Sequence, residues 1–292
     1  NFFRILFSPV IAILDFITKY FKTVVFLTII YFAVVDSDES LTDTNSYANL
    51  QKIELTGPIM DVSKTLEDIQ KAKEDKNIKG ILFVVNSPGG AVAPSVELAY
   101  AIKELKEIKP VVVYASGVIA SGSYYASIWA NKIIANPGSM VGSIGVIMQG
   151  VNVEELMQKI GVSTQTVKAG KYKESGTPTR KWFDYEEKQL QSVIDDTYNM
   201  FISDVASARN LDVKNHNLFA DAKIFTSKQA KEVGLVDEVA TLSYAQDSLI
   251  KLAKVEKAVW KKEDKFEKFM DKLISEAVSN ISMNLMSGLK AY

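Results

Sequence analysis

Between residues 111 and 132 the chain reads VVVYASGVIASGSYYASIWANK, an apolar run that breaks into small residues and carries four serines, Ser116, Ser121, Ser123 and Ser127. A serine hydroxyl becomes a nucleophile only beside a base. The single histidine, His216, lies in the polar segment LDVKNHNLFADA, far from the glycine turns, where a surface role is expected. There is no cysteine, which removes thiolate nucleophiles, thiolate metal sites and disulfides together. Lysine can take the place of histidine if desolvation or neighbouring groups let it lose its proton near working pH. The segment KAGKYKESGTPTR offers Lys168, Lys171 and Lys173 among glycines and a proline. Taken locally, three lysines in such a loop are the pattern of a solvated face.

Ser121 is flanked by Ala120 and Gly122, small residues that leave its hydroxyl accessible, and a helix is expected to start there. Free N–H groups and the dipole at a helix start favour charge building on a substrate oxygen. Locally, each of the four serines also reads as a capping or packing residue. A second segment, NSPGGAV at residues 86 to 92, sits where an apolar strand gives way to a helix. In open α/β sheets, sites gather outside the carboxyl ends of the strands. Paired glycines before a helix let a backbone N–H face the cleft, which suits an anion or an oxyanion, although a tight turn explains them as well.

The elements that must position these residues alternate. KIELTGPI reads as a strand, and 62–75 as an amphipathic helix burying Val62, Leu66 and Ile69. GILFVVNS is a continuous apolar run of the kind buried on both faces of a parallel sheet, and SVELAYAIKELKEI is the helix after it. Further along, PVVVYAS, KIIAN and STQTVKA read as strands, and VEELMQKI, 185–209 and 241–254 as helices. Such repeated alternation predicts an α/β fold with right-handed crossovers.

With 34 basic and 35 acidic residues the chain has no electrostatic footprint for nucleic acid, and that class of partner is excluded. The N-terminus is its greasiest part. The span from Phe16 to Val35, with Lys19 and Lys22 reaching back to the headgroups, is long enough for a transmembrane helix, and the residues before it read as an amphipathic surface segment. Basic residues precede the uncharged run from Thr23 to Val35 and DSDES follows it, which places the remaining chain outside the cytoplasm. The expected organisation is a membrane anchor at 1–35, a polar linker at 36–49, a catalytic domain at 50–255 and a C-terminal helical arm at 256–292.

Four stretches together resemble the signal peptide peptidase A family: VVNSPGGAVAPSVELAYAIKELK, YASGVIASGSYYAS, MVGSIGVIMQGVNVEELMQKIGVSTQTVKAGKYKE and FADAKIFTSKQAKEVGLVDEV. These are membrane-anchored serine peptidases of the Clp protease and crotonase superfamily, and the likeness covers about residues 50–240. The resemblance implies a repeated ββα superhelical fold. The family's A-S-G-G-Y motif is matched by Ala120, Ser121, Gly122, Ser123 and Tyr124, so Ser121 is the implied nucleophile. Ser123 stands where the family has its second glycine. The family's G-x-x-K segment is matched by Gly170, Lys171, Tyr172 and Lys173, so Lys173 is the implied general base. The amides of Gly90 and Gly122 would form the oxyanion hole, Ser143 would orient the lysine, and Asn86 would shape the loop.

No cofactor or metal is implied. The implied substrates are cleaved signal peptides and other short hydrophobic peptides at the extracytoplasmic face of a bacterial inner membrane. The implied assembly is a ring-shaped homo-oligomer in the lipid bilayer, whose dyad can be completed by a neighbouring subunit. Two rival readings share the fold: a crotonase-like acyl-CoA enzyme, which would have no need of Ser121, and a non-catalytic membrane scaffold.

Overall fold

The computed structural model describes residues 15, 16, 18–28, 31 and 47–262. The chain divides into two units, one of Asn1–Ala48 with Val259–Tyr292 and the other of Asn49–Ala258. In the first unit residues 18–28 are helical and exposed. No helix among the described residues is long and apolar enough to cross a membrane. Part of the expected span to Val35, and most of the expected C-terminal arm, lie outside the described residues.

The second unit is an α/β structure, as the alternation predicts. Strands β1 (Leu50–Thr56), β2 (Gly80–Ser87), β3 (Val111–Ala120), β4 (Lys132–Ala135) and β7 (Glu238–Val239) lie side by side in that order, all parallel. The short strands β5 (Met140–Gly142) and β6 (Ile224–Thr226) extend the sheet from the far end of β3, β5 parallel to it and β6 antiparallel to β5. Helices α1 (Ser63–Glu74), α2 (Val92–Lys106) and α3 (Gly122–Ser127) fill the connections. They are followed by α4 (Glu154–Lys159), the long α5 (Asp184–Arg209), α6 (Ser227–Glu232) and α7 (Leu242–Leu252). The apolar run of β2 is buried on both faces, as expected of a central strand in a parallel sheet: Ile81, Leu82, Phe83 and Val85 are all fully inaccessible.

One irregularity in the sheet bears on the site. Val85 pairs with Ala115, yet Ser87 pairs with Ile119, so β3 carries extra residues at 116–118. Asn86 holds this bulge, its Oδ1 accepting from the Val118 N–H at 3.0 Å. Gly117 is what lets the amide approach, since a Cβ there would lie 2.5 Å from that Oδ1. A bulge re-aims the end of a strand, and the residue re-aimed here is Ser121.

The second half departs from the sequence reading in one place. STQTVKA, expected as a strand, has no regular structure, and all of its residues are exposed. Strand propensity is a preference for a pleated, half-buried surface, and no strand lies beside this segment to supply one. From Ile147 to Tyr185 no residue is buried, α4 included.

Candidate active site

The four serines separate at once. Ser127 is buried and donates to the Ser123 carbonyl at 2.8 Å, while Ser116 lies in the bulge with its hydroxyl 3.3 Å from the Val85 carbonyl. Ser123 is fully buried: it accepts from the Ala120 N–H at 2.9 Å and donates to the Ser87 carbonyl at 2.7 Å. It therefore ties the end of β2 to the end of β3 behind the turn and does not line the pocket that Ser121 meets. Of the four, Ser121 alone lines the pocket at the end of the sheet.

Its backbone is held at φ 53° and ψ −125°, a left-handed setting that costs a non-glycine residue on the order of 1–3 kcal/mol. Three contacts hold it there. The Ser121 N–H donates to the Gly142 carbonyl at 2.8 Å, its carbonyl accepts from the Tyr125 N–H at 3.0 Å, and Ala120 pairs with Gly142 across β3 and β5. The serine thus caps the start of α3 at the carboxyl edge of the sheet.

Gly90 and Gly122 line the same pocket. Ile59 pairs with the residues on either side of Gly90, donating to the Gly89 carbonyl at 2.9 Å and accepting from the Ala91 N–H at 2.8 Å. Alternation along an extended segment then turns the Gly90 N–H away from Ile59, and among the described residues it has no partner. The Gly122 N–H is the first of α3 and has no intrahelical partner. Neither position has room for a side chain: a Cβ would lie 2.1 Å from the Ile59 carbonyl oxygen at Gly90, and 2.2 Å from Ser95 Oγ at Gly122. That second Cβ would also lie 3.3 Å from the Gly90 nitrogen, which makes the two amides neighbours. A hydroxyl beside two free N–H groups is the arrangement that acyl transfer needs.

The pocket, of about 100 Å³, has an apolar wall made by Val92 and Val96 of α2, Val146 and Ile147, and Met200 and Phe201 of α5. Tyr125 also lines it, with its ring edge-on to Phe201 at 4.8 Å and its hydroxyl donating to Asp204 of α5. Burial pushes the Tyr125 phenol up from its usual range, and the bond to Asp204 adds to this.

Ser143 follows Gly142 with φ 50°, its N–H donating to the Lys223 carbonyl at 2.7 Å, so it sits beside the Ser121 turn. The lysines do not come with it. No lysine lines the pocket, and nor does His216, which stacks edge-on against Tyr198 instead. Lys168 is paired with Glu174 at 2.5 Å, and the Lys171 ammonium lies 4.4 Å from the centre of the Tyr185 ring. Lys173 is exposed, and its ammonium has no partner among the described residues. The Lys171 carbonyl accepts from Tyr185 at the start of α5, whereas the pocket is met by Thr197, Met200 and Phe201. Tyr185 and Thr197 are about 18 Å apart along the helix axis.

The family model of peptidase family S49 matches residues 103–256, just over half of the chain. The chain belongs to peptidase family S49. A candidate protease of Methanocaldococcus jannaschii is 46% identical over 65% of this S49 chain and 60% of its own length. One from Synechocystis is 40% identical over 68% of this chain and 72% of its own, and a candidate signal peptide peptidase of Enterococcus faecium is 34% identical over 76% and 67%. The S49 match begins inside α2, so it takes in Ser121, Ser143 and Lys173 but neither Asn86 nor Gly90.

Sequence reasoning missed the strut role of Ser123, the Tyr125–Asp204 bond and the wall supplied by α5. A buried serine beside a glycine looks like any other small residue, and the α5 contacts join positions 79 residues apart, with no local signal.

Proposed function

We propose that this S49 peptidase is a membrane-bound serine endopeptidase with a Ser121–Lys173 dyad, degrading cleaved signal peptides and other short hydrophobic peptides at the extracytoplasmic face of a bacterial inner membrane. The observation that carries this reading is the shared pocket of Ser121 and the Gly90 and Gly122 amides. Neutral Lys173, oriented by Ser143, takes the Ser121 proton, and Ser121 attacks the peptide carbonyl. The two amides hold the oxyanion, the protonated lysine returns the proton to the leaving amine, and water releases the acyl enzyme by the same route. The apolar wall suits hydrophobic side chains. No step calls for a cofactor or a metal.

The lysine comes from a neighbouring chain in a ring-shaped homo-oligomer. Three observations support this: no lysine lines the pocket, the loop of Lys173 is tied to the start of α5 while the pocket is met by its middle, and the loop buries no residue against its own domain. The superhelical fold of the Clp protease and crotonase superfamily and the N-terminal anchor complete the reading.

A fluorophosphonate probe tests it. The detergent-solubilised chain should be labelled at Ser121 and lose its activity on an apolar peptide, while Ser121→Ala should be neither labelled nor active. Labelling at another serine, or activity retained by Ser121→Ala, would refute the assignment.

A further inference from the structure

Beside Lys173 in the chain stands a carboxylate, Glu174. A free carboxylate next to a catalytic lysine works against it, because it stabilises the ammonium and raises the pH at which the amine becomes available. Glu174 is not free. Its Oε2 lies 2.5 Å from Lys168 Nζ and 3.4 Å from Arg180 Nη2. Arg180 is largely engaged elsewhere, since it meets both oxygens of Glu186 at 2.8 and 2.9 Å and stacks on Phe183 at 4.2 Å. Lys168 is therefore the principal partner of Glu174.

The other groups around the loop leave Lys173 alone. Lys171 lies over Tyr185, Glu154 accepts from the Lys181 N–H, and Asp184, Glu186 and Glu187 lie in the first turn of α5. None of them contacts the Lys173 ammonium among the described residues. In the pocket, Tyr125 is the one titratable lining residue, and its hydroxyl is committed to Asp204.

We propose that Lys168 is a positioning residue that sequesters Glu174, so that the carboxylate adjacent to Lys173 cannot pair with the catalytic amine. The charges support the same reading: the Lys168 bond holds the Glu174 carboxyl below its usual range, and Glu174 in turn raises Lys168. Two lysines five residues apart thus divide the work, one taking the local carboxylate and the other left free for chemistry. This inference rests on Lys173 being the base.

The test is the pH profile of kcat/KM for the detergent-solubilised full chain on an apolar peptidyl p-nitroanilide, since that profile reports the free enzyme's essential base. In Lys168→Ala, Glu174 is released toward Lys173, and the onset of activity should move to higher pH by about one unit, the scale of one nearby surface carboxylate. In Lys168→Ala/Glu174→Gln the onset should return to the wild-type position or below. An unmoved onset in Lys168→Ala, or a loss that Glu174→Gln does not repair, overturns the proposal and leaves Lys168 a mere loop brace. Lys173→Ala is measured alongside. If it stays active, the base assignment itself fails, and the inference falls with it.

Discussion

The turn at Ser121 and the loop at Lys173 belong to one chain and, on the proposed reading, to one reaction, yet they are held by different physics. Ser121 sits at the edge of a packed sheet: Ser123 behind it is fully buried, the Gly142 carbonyl fixes its amide, and Ile59 pins the residues flanking Gly90. The loop has no core beneath it. Its shape depends on Lys168–Glu174, on Arg180–Glu186, and on the Trp182 Nε1–H donating to the Thr177 carbonyl at 2.9 Å. A strained backbone needs a rigid surround to stay strained. A base that reaches into another subunit needs a loop that leaves the domain, and charge pairs can hold such a loop where hydrophobic burial cannot.

This contrast can be broken at several points. Ser121→Ala should cost about 10⁴-fold or more in peptide cleavage while leaving the melting temperature near wild type; substantial residual activity would remove the nucleophile from the account. Gly90→Ala should lose about 10²–10³-fold in kcat and also melt lower, because its Cβ cannot avoid the Ile59 carbonyl. If activity survived that change, the Gly90 amide would not be an oxyanion donor.

The loop should answer to acid where the sheet edge does not. Arg180, followed by the Phe183 N–H, lowers the buried Glu186 carboxyl to about 2. A depressed folded pKa means that its contribution is complete above the ordinary value near 4.5 and is lost as pH falls toward 2. Limited proteolysis should therefore cut within 163–183 increasingly below about pH 4.5, before any cut reaches the sheet; uniform cutting would erase the distinction between the regions. The smallest effect is expected at Ser123→Ala, which strands the Ala120 N–H and costs about 1–3 kcal/mol in thermal unfolding with little change in apolar substrate preference. A changed preference would mean that Ser123 does shape the pocket.

The two regions also differ in how far the sequence foretold them. The continuous apolar run of β2, the helix after the paired glycines and the long helix ending at Arg209 were all legible, because each is written in local periodicity. Ser121 could be singled out only by resemblance, since Ser116, Ser123 and Ser127 carry the same local signal; burial and backbone geometry are what separate them. STQTVKA misleads because its residue preference favours a strand where no neighbouring strand exists. The fixing of the loop was illegible for another reason: Lys168, Glu174, Arg180 and Glu186 pair through a folded turn, at spacings that follow no helix or strand period.

Mixing two inactive chains tests the central claim most directly. Ser121→Ala keeps a working lysine loop and Lys173→Ala keeps a working serine turn. If the dyad forms between chains, co-assembly of the two should restore peptide cleavage to a sizeable fraction of wild type, labelled by a fluorophosphonate only on the Lys173→Ala chain. Mixed assemblies that form but stay inactive, beside a Lys171→Ala chain that has lost activity on its own, would contradict both the base and its delivery from a neighbour.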